Sequence, residues 1–458
     1  MHKSFLAAFF VICGWCSAHA GKALNPIQFG LLDAKTAVER YDVLYKTHRE
    51  AKKTNAPVSY KGIQTIDLEI PLGAKRIPLT DHTDFAGVSI YVTNNTAKAY
   101  LFELAQGKKS IEVTNAQVDE GDFTSINELR RGRFLVIVED SLPWVKQRIG
   151  YKYGAIRKDI LLVEDGKAEN RVVSPYNNSW SKAKAYYCPI SHEKKEIKNL
   201  KLFRQPGNKD LAFFVTISNQ NNVVLSDIEI HTPQDTLLND AAIAITNCTN
   251  IKFYHITIDG TYSRKDHSGY GVTMNNVWNS SFYKFRGHGN WGVFGNNNVN
   301  YATFNSCDIN RFDIHCYGRD IHFMKCVFRN LYNQFSSVFG EVTFANCEFC
   351  NFIPVSFESS YNAYTRFQLK VNNCIITDVG KKNFFIKAGD IDNKNSNERP
   401  ELSRKEWPDI FIDGLTIVTN GNQDYRLSNY SKKSIQMSEE TIPTKIEIKR
   451  IRYEKPSM

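Results

Sequence analysis

Hydrophobic positions in the middle of the chain recur at a period much longer than that of a helix or a strand. Between residues 250 and 377 an aromatic residue is followed by two or three variable residues and then by a small or apolar residue, and this phrase returns every 19 to 29 residues. A period of this length is typical of solenoids. The five copies are Phe253-Tyr254-His255-Ile256, Phe282-Tyr283-Lys284-Phe285, Phe304-Asn305-Ser306-Cys307, Phe323-Met324-Lys325-Cys326 and Phe344-Ala345-Asn346-Cys347.

The last position of each phrase predicts a ladder inside a parallel β-helix, in which each coil lies about 4.8 Å from the one before. Large hydrophobic residues share this position with cysteines. We therefore expect the thiols to be small core side chains rather than disulfides or metal ligands. The ladder comprises Ile256, Phe285, Cys307, Cys326, Cys347 and Cys374.

A second strand in each coil is predicted from four segments, at 270–274, 291–295, 314–318 and 336–340. Aligning them gives an inward row of Val272, Val293, Cys316 and Val338, whose sequence neighbours face outward. The turns are rich in asparagine, at 219–222, 296–298 and 372–373, which suits left-handed backbone angles and stacked amides.

Residues 34–52 carry the one strong helical periodicity in the sequence. This helix is expected to cap the exposed end of the solenoid. Strand patterns occur at 63–70, 88–93 and 135–139, and a basic segment rich in Trp and Tyr at 141–185 predicts a lateral excursion. We divide the chain into a signal peptide (1–20), a segment with the capping helix (21–58), the β-helix (59–390), and a polar C-terminal segment with closing strands (391–458).

The first residues predict export. Lys3 precedes an apolar run from Phe5 to Cys16 and then Ala18-His19-Ala20, the pattern of a signal peptide cleaved after Ala20. That run is too short to span a bilayer, and no later segment is long enough. We expect a periplasmic, cell-surface or secreted protein without a membrane span.

The net charge and the cysteine content exclude few classes of binding partner. The net charge of +10 is compatible with an acidic polymer and equally with an ordinary basic surface. Export and the lack of a nucleic-acid-binding motif argue against a nucleic-acid partner. Eight cysteines remain after cleavage, but no paired motif has the spacing of a zinc site, so no metal is predicted. The oligomeric state stays open.

The coil phrases between Leu200 and Val379 resemble the pectate-lyase-like superfamily of right-handed parallel β-helices, and the chain is also similar to β-helix proteins that Bacteroidetes export for glycan use. The resemblance implies an all-β, single-stranded solenoid. It also implies a polysaccharide lyase, a glycoside hydrolase or a non-enzymatic adhesin or tailspike, with calcium in some of the lyases. Fold alone does not choose among these functions.

Enzymes of this superfamily work on an exposed sheet face, so outward residues of unusual chemistry are the candidates. The segment from Arg311 to Asp320 places Asp313, His315, Tyr317 and Arg319 along one side of a strand. Neighbouring coils are expected to add Glu341 to these catalytic candidates. The predicted substrate-binding residues are His288, Asn290, Phe294, Asn296, Phe339, Asp266 and Glu358.

Two mechanisms fit these residues. Hydrolysis needs two carboxyl groups roughly 5 to 9.5 Å apart, which Asp313 and Glu341 could supply if the chain bends near Asp313. Elimination needs a base, either His315 or Tyr317, and a cation such as Arg319 beside the uronate carboxylate. We expect polysaccharide hydrolysis, with elimination by a lyase or glycan binding without cleavage as alternatives.

Each candidate also has a structural interpretation. Arg319 and Glu341 could form a surface ion pair, His315 could be a packing residue, and Asp313 could form a turn. If the predicted alternation is wrong by one residue, the aromatic candidates form an inward row instead. These aromatics are Phe294, Tyr317 and Phe339.

Overall fold

The computed structural model describes residues 22–94, 99–145, 155–173, 176, 182–205, 211–232, 239–260, 270–289, 292–329, 333–336, 338–350, 355–357, 367–377, 384–388, 408–418, 426–428 and 445–455. Within them, twenty-five strands pair into one continuous parallel sheet that winds as a right-handed β-helix, and five strands form a separate antiparallel sheet. The predicted fold class is confirmed. The signal peptide predicted at 1–20 lies outside the described residues.

The first coils follow a 3-10 turn (Pro26–Phe29) and contain α1 (Ala37–Thr54), β1 (Val58–Ser59), β2 (Thr65–Ile70), β3 (Ile77–Pro78), β4 (His82–Asp84), β5 (Ser89–Asn94) and β6 (Ala99–Ala105). The antiparallel sheet and its connections contain β7 (Lys109–Ile111), α2 (Asn115–Glu120), a 3-10 turn (Asn127–Leu129), β8 (Arg133–Val145), β9 (Ala155–Glu164), β10 (Lys167–Ala168) and β11 (Ala183–Pro189).

The remaining coils contain β12 (Lys195–Arg204), β13 (Leu211–Ser218), β14 (Asn221–His231), β15 (Asn239–Gly260), β16 (Tyr270–Tyr283), β17 (Arg286–Gly289), β18 (Gly292–Asn305), β19 (Asp308–Ile309), β20 (Phe312–Met324), β21 (Val327–Phe328), β22 (Asn333–Phe335), β23 (Val338–Ala345), β24 (Glu348–Phe349), β25 (Val355–Phe357), β26 (Phe367–Ile376), β27 (Phe384–Ala388), β28 (Asp409–Val418), β29 (Arg426–Ser428) and β30 (Ile446–Glu454).

Strand β15 traces most of one coil and shows how the chain turns. It bends at Asn247 and Asn250 and again at His255, where φ is 52°, 55° and 53°. We call the stretch before the asparagine bend the first sheet, the stretch between the bends the second sheet, and the stretch after His255 the third sheet. Other coils repeat these bends, so equivalent residues stack from coil to coil.

The aromatic residue of the repeated phrase forms a continuous stack in the core of the second sheet. Phe253, Phe282, Phe304, Phe323 and Phe344 are each at most 1% exposed, and successive ring centroids lie 4.4, 4.5, 4.8 and 4.9 Å apart. Their spacing equals the distance between coils, which is why this position keeps a flat ring over five coils.

The predicted ladder at the end of the phrase is also buried. The Sγ atoms of Cys307, Cys326, Cys347 and Cys374 each lie 3.5 Å from the carbonyl oxygen of a phenylalanine in the coil before. All described cysteine side chains are free thiols. The thiols are therefore core side chains, as the sequence predicts, and a larger residue takes the same place in Phe285.

Residues with positive φ form the bend before this ladder in coil after coil. They are Asn199, Asp227, His255, Lys284, Ser306, Lys325, Asn346, Asn373, Gly414 and Arg450. At the other bend, Asn276 donates its amide to Asn247 at 3.0 Å and Asn247 donates to Asn219 at 3.1 Å. These stacked amides offset the cost of the left-handed conformation, and they confirm the predicted asparagine turns.

Helix α1 covers the N-terminal end of the solenoid. Thr36 and Glu39 form a capping box at its start, and its buried face includes Tyr41, Leu44 and His48. His48 hydrogen-bonds the hydroxyl of Tyr60 at 2.8 Å inside the first coil. Complete burial lowers the pKa of His48 to about 3, so this imidazole is neutral in the folded protein.

The antiparallel sheet has its own core, built around Phe123, Val136 and Leu161. It contacts the solenoid through hydrogen bonds from Lys158 N to Asn298 Oδ1 and from Arg319 Nη1 to the carbonyl of Val173. This sheet begins at β7 and ends at β11, so it is wider than the excursion predicted at 141–185. No helix in the described part of the chain is long and apolar enough to cross a bilayer.

The predicted register of the first sheet was wrong. Val272 pairs with Phe294, not with Val293, and Phe294 pairs with Phe312. Three of the four aligned segments end in a glycine, but the first of these glycines, Gly295, pairs with Asp313 and not with Gly318. The two coils have different turn lengths, and this difference moves the glycines out of line.

The aromatic stack predicts a strong effect of truncation at its centre. We expect Phe323→Ala to lower the free energy of unfolding by about 3–5 kcal/mol, because it leaves a cavity between two stacked rings. Met324→Ala is the matched control, since its side chain is 45% exposed and its loss should change stability by no more than about 0.5 kcal/mol. Denaturant unfolding measures both, and equal effects would contradict the ladder.

Candidate functional site

Tyr270 joins two of the predicted catalytic residues on the outer face of the first sheet. Its hydroxyl lies 2.8 Å from Asp313 Oδ2 and 2.8 Å from His315 Nε2. Its ring is partly exposed and meets the imidazole edge-on, with centroids 5.6 Å apart. A phenol that contacts a carboxylate and an imidazole together can exchange its proton with either one.

Two glycines allow this arrangement. The ring of Tyr270 lies across β18, and a Cβ atom at Gly295 would be 2.5 Å from Cδ2 of the ring. At Gly292 a Cβ atom would be 2.9 Å from Cε1. Any larger residue at either position would displace the ring, so the glycines let a side chain of β16 reach across one coil to β20.

Asp313 lies beneath this ring and is completely buried. Arg311 Nε donates to Asp313 Oδ1 at 2.6 Å, and Arg311 Nη2 donates to Gln334 Oε1 at 2.8 Å. Burial raises the pKa of Asp313 to about 6, although the charge of Arg311 and the bond from Tyr270 oppose the increase. The carboxylate is therefore ionised at neutral pH but takes up a proton in mildly acidic solution. We call Tyr270, Arg311, Asp313, His315 and Gln334 the Tyr270 cluster.

The structure corrects the predicted positions of two substrate-binding candidates. Phe294 is buried in the core, where its ring packs 5.0 Å from that of Phe282, so it is not an exposed sugar platform. Asn296 is also buried, and its amide donates to the carbonyl of Asp313 at 2.8 Å. Both errors follow from the register error, which reversed the faces of this strand.

Glu341 and Arg319 lie away from the Tyr270 cluster. Glu341 contacts Lys370 and the hydroxyl of Thr343, and its carboxylate lies 3.9 Å from His322. Arg319 donates to Asp320 at 3.4 Å and to the carbonyl of Val173. The suggested ion pair between Arg319 and Glu341 is therefore replaced by other partners. Asp313 and Glu341 belong to separate hydrogen-bond networks.

The other candidates are dispersed or not described. His288 lies on the third sheet, with Nε2 3.4 Å from Asp308 Oδ1. Phe339 is half-buried, and its register partner on the adjacent strand is Arg319, so it lies apart from Asp313. Asn290, Asp266, Glu358 and the side chain of Tyr317 lie outside the described residues.

The sequence interpretation missed Tyr270, Arg311 and Gln334. Tyr270 was assigned to a strand, and Arg311 was included in the right segment without a role. The available signal was the pair of glycines at 292 and 295, where a Cβ atom would meet the ring of Tyr270 from the preceding coil. No cluster of three or more His, Cys, Asp or Glu suited to a metal occurs among the residues that the structure describes.

Comparison with known proteins yields similarity in structure only. No family model matches the chain. No curated protein matches its sequence. The tailspike protein gp49 from Pseudomonas phage LKA1 is 12% identical, with a TM-score of 0.56 over 94% of this chain and 81% of that chain. The Gp54 tailspike of Acinetobacter baumannii bacteriophage AP22, solved in complex with A. baumannii capsular saccharide, is 12% identical, with a TM-score of 0.51 over 93% of this chain and 79% of that chain. Similarity at this level establishes the β-helix fold alone.

The raised pKa of Asp313 predicts a pH-dependent stability. Because the folded state holds this proton more tightly than the unfolded state, the stabilisation is complete below about pH 4 and is lost as pH rises through about 6. Relative to Asp313→Asn, the natural protein should lose about 2–3 kcal/mol of unfolding free energy over this range and then stay level. Denaturant unfolding at several pH values measures the difference. A constant difference across the range would contradict the raised pKa.

Proposed function

We propose that this protein is a polysaccharide lyase that cleaves a uronic-acid polymer by β-elimination on the outer face of the first sheet. One observation carries the proposal: the hydroxyl of Tyr270 lies 2.8 Å from both Asp313 and His315. This gives a partly exposed acid–base group that donates to a carboxylate and is also hydrogen-bonded to an imidazole. Distances of this size suit proton transfer.

The carboxylates favour elimination over hydrolysis. Asp313 is completely buried beneath Tyr270, so it can act on a sugar only through the phenol. Glu341 is held by Lys370 and Thr343 in a different part of the coil. The described residues of the predicted hydrolytic set therefore do not converge on one glycosidic bond, which hydrolysis requires.

The elimination can be written with Tyr270 in both proton steps. As the phenol passes its proton to ionised Asp313, its oxygen takes the proton on the carbon beside the uronate carboxylate. The electrons left on that carbon form the carbon–carbon double bond and expel the glycosidic oxygen. Tyr270 donates its new proton to this oxygen, and Asp313 returns the other proton to Tyr270. His315 holds the phenol in place as a positioning residue, whereas Asp313 acts on the sugar only by exchanging a proton with the phenol.

Three further features support an acidic glycan as substrate. The net charge of +10 attracts anionic polymers, and a predicted signal peptide would take the protein out of the cytoplasm. The β-helix fold is shared with a tailspike whose structure contains a capsular saccharide, which supports binding of a polysaccharide.

Removing the hydroxyl of Tyr270 tests the mechanism. We expect Tyr270→Phe to lower kcat on a uronic-acid polymer by about a hundredfold or more with little change in KM, because the proton steps are lost and the ring remains. The assay follows the absorbance of unsaturated uronates together with new reducing ends.

Tyr453→Phe is the control for this test, because that side chain is exposed in the last strand and should leave kcat unchanged. Reducing ends without unsaturated product would indicate hydrolysis instead. Binding of the polymer without any product from the natural protein would indicate a non-catalytic glycan-binding β-helix.

Chelation tests whether calcium takes part, as it does in some lyases of this superfamily. The proposed proton steps pass only through Tyr270 and Asp313, so we expect kcat and KM to remain unchanged after EDTA treatment and dialysis. Loss of activity that added Ca²⁺ restores would contradict this expectation. It would indicate that a bound cation, rather than a basic side chain, neutralises the substrate carboxylate.

A further inference from the structure

A groove separate from the Tyr270 cluster lies on the third sheet, beyond the bend that contains His255. It has a volume of about 450 Å³ and crosses four successive coils. We call it the corner groove and define it by six of the residues that line it, Lys201, Asp227, Glu229, His255, Lys284 and Arg286. None of these residues belongs to the Tyr270 cluster.

The corner groove has the repeat distance of the solenoid. Lys201, Glu229, Thr257 and Arg286 are register partners, one from each coil, so they form a row with a spacing of about 4.8 Å. A second row lies at the bend, where positive φ values turn Asp227, His255 and Lys284 outward. A stretched chain of pyranose sugars advances by a similar distance at each residue, so each coil can meet one sugar.

The charges in the corner groove are unequally compensated. Glu229 accepts an ion pair from Lys201 at 3.1 Å, and Asp227 lies 3.2 Å from His255 Nδ1. At the other end, Arg286 has no carboxylate partner within the part of the chain that the structure describes. The neighbouring carboxylate of Asp308 is bound by Arg329 at 2.5 and 2.8 Å.

Lys284 adds a second cation at this end. Among the described residues its ammonium group meets only the ring of Tyr283, 5.4 Å from the centroid. Two exposed cations on adjacent rows therefore face solvent beside each other, which favours an anionic group between them.

An aromatic wall borders the opposite end of the corner groove. Phe203 and His231 each follow a groove residue by two positions, so they share its face of the strand. The rings of Tyr91, Phe203 and His231 stack at 5.0 and 5.1 Å with interplanar angles of 20° and 13°. Because the ring faces contact each other, only the ring edges border the corner groove, and the nitrogens of His231 lie 3.6 Å from Glu229 and 3.7 Å from Asp259.

We infer that the corner groove binds a segment of an anionic saccharide, with one sugar to each coil and the acid group between Lys284 and Arg286. The choice of a uronic-acid polymer rests on the proposed function. The corner groove would hold the polymer without cleaving it, since Glu229 is ion-paired with Lys201 and Asp227 is hydrogen-bonded to His255. It would keep the enzyme on its substrate between cuts.

Binding is measured with the Tyr270→Phe protein, which should not cleave the probe. The probes are fluorescent oligosaccharides of galacturonate and of alginate, and the same oligosaccharides with their carboxyl groups reduced to alcohols. We expect the acidic probes to bind and the reduced probes to bind at least about tenfold more weakly, since a charge-assisted contact is lost.

Three substitutions in that protein locate the binding site. We expect Arg286→Gln and Lys284→Asn each to weaken binding of an acidic probe by about tenfold or more. Lys325→Asn is the matched control, because Lys325 is an exposed lysine at the same bend with φ of 55° and lies outside the groove. It removes the same charge and should change the affinity by less than about twofold.

Unchanged affinity in both groove variants would overturn the inference, as would failure of every acidic probe to bind. These results are separable from the proposed function. If the natural protein makes no unsaturated product but Arg286→Gln still weakens binding, the lyase proposal fails and the corner groove stands. If product forms and the groove variants bind normally, the corner groove fails alone.

Discussion

The structure depends on parallel stacking of equivalent residues at the spacing of a β-ladder. Each coil must bend at the same places, because a side chain can stack only on its counterpart in the next coil. Positive φ at the bends makes this register possible, and the phenylalanine and cysteine ladders fill the interior that it creates. The same register places outward side chains in rows, which is how residues distant in sequence come to form a site.

The Tyr270 cluster shows how this arrangement creates chemistry. A tyrosine from one coil crosses a coil that carries two glycines and reaches an aspartate on the next. Covering the aspartate removes water from it, and this raises its pKa while Arg311 keeps it ionised at neutral pH. Catalysis by preorganised groups depends on this kind of fixed, partly dry environment. In the corner groove, stacked rows of this kind carry exposed charged side chains, and the edges of aromatic rings lie beside them.

The repeated phrase was sufficient to predict the solenoid, its cysteine ladder and its asparagine bends, since these depend on local residue type and a regular period. Helix α1 was also predicted, because its apolar face and polar start are local signals. The first-sheet register was not predictable in the same way. It depends on turn lengths that differ from coil to coil, and an error of one residue placed Phe294 and Asn296 on the wrong face. Asp313 and His315 were identified correctly as neighbours on one strand. Tyr270 comes from two coils earlier, and the glycines at 292 and 295 are the sequence signal for its contact with them.

The central claim is that Tyr270 and Asp313 move protons in an elimination that adds no water to the product. The most direct measurement is mass spectrometry of the fragments formed from a uronic-acid polymer in water labelled with heavy oxygen. Elimination predicts unsaturated fragments that contain no label at the cleaved bond. One heavy oxygen for each cleaved bond would show hydrolysis and would contradict the account.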